Sequence, residues 1–286
     1  MKHLLLIIMG VLAVISGSAK TAAATQAGGP RPQANADSVN AASRETIPAG
    51  KSAAANPDYP ARETRNLAGW TVHISRDLLA TNAADTGVAL KLLAAQLEDI
   101  VRVVPPAAVA ELRKVSLWVS PEYPGVKPRA EYHPNAAWLR EHGRDPAMAK
   151  GVEFTNVRIF ESETTRMPVF VLHELAHAYH DRVLGHQHAG IKAAYEAAKA
   201  SGNYDKVERH DARGRVTIER AYAMTNCEEY FAETTEAFFG TNDFYPFTRA
   251  ELKQTDPVGC VLIEELWGVS RDSAPAASNQ TTPSKS

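Results

Sequence analysis

The sequence predicts an α+β fold, and three observations carry the prediction. Segments that alternate like strands come early, at 70–75, 115–119 and 152–160. Helical spacing dominates from about 168 onward. One core-sized stretch, 66–270, contains both, and strands first with helices later is the α+β order.

The chain opens with MKHLLLIIMGVLAVISGSAK. Lys2 and His3 form a short basic start, Leu4 to Ile15 an apolar run, and Gly17-Ser18-Ala19 a small-residue cleavage site. Residues 1–19 are therefore expected to be a signal peptide, and the protein secreted or periplasmic. The run is shorter than the roughly 20 residues that span a bilayer, so no stable membrane insertion is expected after cleavage. No cysteine follows it, which argues against a lipid anchor. Residues 20–65 are rich in Ala, Pro, Gly, Ser and Asn and nearly free of large apolar side chains. Such a stretch cannot bury enough surface to offset ordering, and reads as a disordered linker or pro-segment. The tail, 271–286, reads as disordered for the same reason.

Within the core, Trp70-Thr-Val-His-Ile-Ser75 is the first expected strand. A helix over 86–103 is stopped by Pro105-Pro106, and Val115-Ser-Leu-Trp-Val119 is the second strand. A polar, Pro-rich loop leads to Trp138-Leu-Arg, and Val152 to Phe160 reads as the third strand. Everything beyond reads as helix or loop. The balance of 44% hydrophobic and 22% charged residues is that of a globular protein. A net charge of -2 leaves no basic excess for phosphate contacts, so no nucleic-acid partner is expected. The two cysteines, Cys227 and Cys260, can be a disulfide or two free thiols, and the sequence leaves both open.

The informative segment is MPVFVLHELAHAYHDRVLG. Pro168 suits the first turn of a helix and Gly185 its end. His173 and His177 then lie one turn apart on one face, within reach of a single ion. Glu174, beside them, can reach a water on that ion without binding it. This is the H-E-x-x-H arrangement of zinc hydrolases, with glutamate as general base. The bland alternative is a half-buried helix whose histidines bond to neighbours. His180 follows on the same face, but donors projecting from one straight helix cannot enclose an ion, so it is not expected to be a ligand. His186, His188 and His210 lie in polar loops and read as solvated surface.

Downstream, ERAYAMTNCEEYFAETTEAFFG reads as a helix capped by Thr225 or Asn226 and ended by Gly240. Thr225-x-x-Glu228 has the form of a capping box, which gives Glu228 a structural role. Glu229 and Glu233 lie one turn apart. One carboxylate to bind the ion and another to hold a histidine's second ring nitrogen is what such a site requires. A solvated acidic face is the competing reading of Glu229, Glu233 and Glu236.

His173-Glu174-Leu-Ala-His177, followed by Tyr222-Ala-Met-Thr-Asn-Cys-Glu-Glu229-Tyr-Phe-Ala-Glu233, resembles the zinc-peptidase domain of the anthrax lethal factor family, in the gluzincin clan. The resemblance covers 170–235 and does not extend to the family's toxin-delivery or substrate-docking domains. It implies a zincin-like metallopeptidase domain over 66–270, with one Zn²⁺ per chain held by His173, His177 and Glu229. It also implies that Tyr222 faces the reacting carbonyl of a peptide or protein substrate, beside Glu174 as base. Glu233 is the expected support of a ligand histidine, and the strand at 152–160 the expected edge for the substrate. Two other readings stand beside this one: a zinc-binding extracellular module without proteolysis, and a cell-wall binding protein with a chance motif.

Overall fold

The computed structural model describes residues 59–269. The expected signal peptide at 1–19, most of the linker at 20–65 and the tail at 271–286 lie outside the described residues. The fold is α+β. Strands β1 (Arg62–Leu67) and β2 (Trp70–Ser75) form a hairpin, so ordered chain begins inside the stretch read as linker. Its tight turn uses Ala68 and Gly69, both at positive φ (50° and 97°). Helices α1 (Arg76–Thr81), α2 (Ala83–Val103) and α3 (Pro106–Leu112) follow. Then come β3 (Leu117–Val119), β4 (Ala130–Tyr132), α4 (Ala136–Glu141), β5 (Val152–Phe154) and α5 (Phe160–Arg166). The remainder holds α6 (Phe170–Tyr179), α7 (Ala189–Ser201), β6 (Val207–His210), β7 (Val216–Glu219), α8 (Cys227–Phe239), α9 (Arg249–Thr255) and α10 (Pro257–Trp267).

The main sheet runs β1-β2-β3-β5-β4. β2, β3 and β5 are mutually parallel, and β1 and β4 are antiparallel edges. This corrects two expectations. The segment 152–160 is a strand only to Phe154, after which a 3₁₀ turn (Val157–Ile159) leads into α5. The chain bends because Phe160 folds back into an aromatic cluster, its ring 5.9 Å from Phe154 and 5.0 Å from Phe170. β5 is also interior, flanked by β3 and β4, and every residue in it is buried. The edge strand beside it is β4. The pair β6–β7 corrects the reading of 207–219 as loop; β6 (VERH) carries no apolar alternation, and although β7 (VTIE) alternates, all four of its residues are exposed.

α6 is apolar nearly all round, with Phe170, Val171, Leu172, Leu175, Ala176 and Ala178 buried. No side chain caps it through Val169, but Gln96 on α2 accepts the Val171 N–H at 3.2 Å, satisfying one of its first amides. It continues past Tyr179 as a π-helical turn, His180–Leu184, and stops at Gly185 with φ 85°. α8 packs against it. The end of α8 comes so close that a Cβ on Gly240 would meet Val169 Cγ1 at 2.5 Å. Trp267 of α10 locks the pair from behind, stacked on Tyr179 of α6 at 4.3 Å and on Phe231 of α8 at 6.0 Å. Its indole N–H donates to Thr235 at 3.1 Å. Cys227 and Cys260 are both free thiols. Among the described residues, no helix is long and apolar enough to cross a membrane.

Candidate metal centre

α6 and α8 cross so that both histidines of the motif face the first turn of α8. His173 Nε2 and His177 Nε2 are 3.1 Å apart, and Glu229 Oε2 lies 3.2 Å from the first and 3.4 Å from the second. Ligands on one tetrahedral ion, with bonds of about 2.0 Å, stand about 3.3 Å from each other. The triangle has the spacing such an ion imposes, and these residues could hold a metal ion. The ring tautomer fits as well. His173 Nδ1–H donates to Glu236 Oε1 at 2.7 Å, so an ion that displaces the proton shared by Nε2 and Glu229 would find a lone pair there.

Glu229 is set in place by the helix start. The N-cap of α8 is Asn226, whose side chain accepts the Glu229 N–H at 2.7 Å. The expected Thr225–Glu228 capping box does not form, because Asn226 already fills the cap, and the Glu228 carboxylate turns instead toward Cys227 and His186. Burial would raise the Glu229 carboxyl, but hydrogen bonds from His173 and His177 outweigh it and hold the carboxyl well below the usual range. Burial would likewise lower the His173 ring, yet its bonds to Glu229 and Glu236 raise it well above the ordinary imidazole value.

Behind this triangle lie two wholly buried carboxylates, and the solvated acidic face is thereby excluded. Glu236, not Glu233, makes the direct bond to His173; Glu233 Oε1 stands 3.7 Å from Nδ1, and its other oxygen accepts from Asn242 Nδ2 at 3.0 Å. Burial and then their mutual repulsion push Glu233 up, and burial pushes Glu236 up, as expected when two carboxyl groups share one enclosed space. His173, Glu233 and Glu236 form a second group with metal-ligand spacing, sharing His173 with the first.

Glu174 faces the cleft, where its Oε2 accepts the backbone N–H of Tyr132 on β4 at 2.8 Å. Nothing in the motif announces this strand contact. Tyr222, in a short 3₁₀ turn, donates to Glu229 Oε1 at 3.4 Å; burial and the nearby Glu229 charge push its phenol up to about 12. All six residues singled out in the sequence (His173, Glu174, His177, Tyr222, Glu229 and Glu233) line one cleft of about 630 Å³. His180 and His186 line it too. His186 is exposed, as expected, and its ring stands at the cleft lining. His188 instead accepts the Ile191 N–H at the start of α7, and His210 stacks on Phe247.

Compared with known proteins, the chain matches no family model, no curated protein and no solved structure.

Proposed function

We propose that the protein is an exported zinc-dependent endopeptidase of zincin-like fold. The observation that carries this reading is the triangle of His173, His177 and Glu229 donor atoms, 3.1–3.4 Å on a side, with the Glu174 carboxylate one residue from a vertex. Two imidazoles and a carboxylate with an open fourth position are the donor set of a catalytic zinc. The resemblance of 170–235 to the anthrax lethal factor family supports the same assignment. Zinc bound there would bring the pKa of a water to about 7 and polarise a peptide carbonyl.

The chain's own groups then divide the work. Glu174 takes the water's proton and passes it to the leaving amine. Tyr222, protonated at neutral pH because its phenol titrates only near 12, donates to the developing oxyanion. The substrate strand belongs on β4. Arg129 and His133 direct their backbone groups inward to β5, so Ala130 and Tyr132 face outward over the cleft. An extended peptide can pair with Ala130, with Glu174 beneath it. A metal-binding module without turnover has no use for a base in this position.

Digestion of a proteome-derived peptide library, with and without chelator, tests the proposal. Wild type should cleave only when metal is present. Glu174→Gln should lose about 10²–10⁴ of the rate while keeping its zinc. Equal cleavage by variant and wild type would overturn the mechanism, and stoichiometric zinc without any cleavage would leave a binding module.

A further inference from the structure

His180 is the oddest side chain in the cleft. It is 1% exposed, and neither ring nitrogen has a hydrogen-bond partner. A buried imidazole with both nitrogens orphaned calls for a ligand. Its ring packs edge-on against Phe231 at 5.4 Å, which fixes its plane, and the cleft runs past it.

His186 lies next to it, ring centroids 6.0 Å apart. Its Nε2 is 3.2 Å from Asp181 Oδ1, and its Nδ1 is 3.9 Å from Glu228 Oε1. Asp181 is nearly buried and is itself held by the Tyr132 hydroxyl and by Lys150. It therefore stands as a fixed anion beside the His186 Nε2. A proton held on that nitrogen leaves the Nδ1 lone pair on the side of Glu228, as where a carboxylate orients a histidine for a metal. Glu228 is free for this role because Asn226 has taken the helix cap.

We propose that His180, His186 and Glu228 form a second divalent-metal site, of the Zn²⁺ type, at one end of the same cleft. Two imidazoles and one carboxylate repeat the donor chemistry of the first centre. Imidazoles sharing one ion have centroids about 5 Å apart, given metal–nitrogen bonds of about 2.0 Å. The His173–His177 pair stands at 4.7 Å. A small swing of the 47% exposed His186 side chain that keeps its Nε2 beside Asp181 would close the remaining gap. The site stands apart from the hydrolase reading. Only one consequence rests on that reading: an ion held here obstructs one end of the cleft, so excess zinc should slow turnover.

Zinc titration of the full chain, by calorimetry and by competition with a chromophoric chelator, decides the matter. Wild type should bind two equivalents, the second more weakly. His186→Ala, at an exposed position, and Glu228→Gln, an isosteric change at a half-buried one, should each bind one fewer equivalent than wild type. His173→Ala should lose the other. If both the His186 and Glu228 variants bind as many equivalents as wild type, the second site does not exist. Failure of the first centre has a different signature: His173→Ala would then leave the stoichiometry unchanged.

Discussion

Glu236 is wholly buried, and of its two oxygens one accepts the His173 Nδ1–H while the other has no hydrogen-bond partner among the described residues. It fixes the ring whose Nε2 would face an ion, and it would make that nitrogen more basic. Glu236→Gln keeps the shape and removes the charge, so metal affinity should fall about 10–100-fold in a chelator competition assay. Glu233→Gln should cost less, since its carboxylate stands 3.7 Å away. The stripe Glu229, Glu233, Glu236 could be read from the sequence as one helix face. Which of the last two meets the ring could not, because that depends on the angle at which α8 crosses α6. The motif residues themselves were legible because H-E-x-x-H fixes its own geometry within one helix. Tyr132 contributes only a backbone N–H to Glu174, which no side-chain pattern encodes.

β5 shows how an element can be found and still be misjudged. Its alternation marks a strand, and Glu153 between Val152 and Phe154 reads as the outward-facing residue of an edge. In the structure that carboxylate is 1% exposed and accepts from the Tyr123 hydroxyl at 2.8 Å, from His133 at 3.0 Å and from Arg144 at 3.3 Å. These partners come from the Pro-rich segment between β3 and β5, so the network pins β4 to its neighbour. Burial pushes the Glu153 carboxyl up, but hydrogen bonds from His133 and Ser120 bring it below its ordinary value. A depressed carboxyl stabilises the fold fully above the unfolded-state pKa of about 4.3 and loses that contribution as pH falls through the folded value. Glu153→Gln should therefore destabilise the fold at neutral pH by about 1–2 kcal/mol, the scale of one weakened charge-assisted hydrogen bond, because Arg144 keeps Glu131 at 2.6 Å. Urea melts at successive pH values should show the gap between variant and wild type closing below about pH 4.

For the molecule as a whole, the candidate metal centre depends on two helices being held at one crossing angle, and Trp267 packs against both of them. It is 1% exposed, between Tyr179 and Phe231, and comes from the last helix described. Trp267→Ala should destabilise the fold by about 3–5 kcal/mol. It should also weaken metal binding, as read by denaturant unfolding with and without zinc. The α+β class, the two helices of the site and the start of α8 were all legible from periodicity and capping residues. The β6–β7 pair and the interior place of β5 were not, because the strands of the pair are only four residues long with β7 exposed on both faces, and sheet order depends on contacts far apart in the chain.

Tyr132 ties these scales together. Its amide bonds the Glu174 carboxylate and its hydroxyl bonds Asp181, which steadies His186. A sideways slip of this single rung would slacken the Glu174 carboxylate and the His186 ring in the same instant. The floor and the rim of the cleft are geared to each other, and a guest that prises the strand outward is felt at both ends.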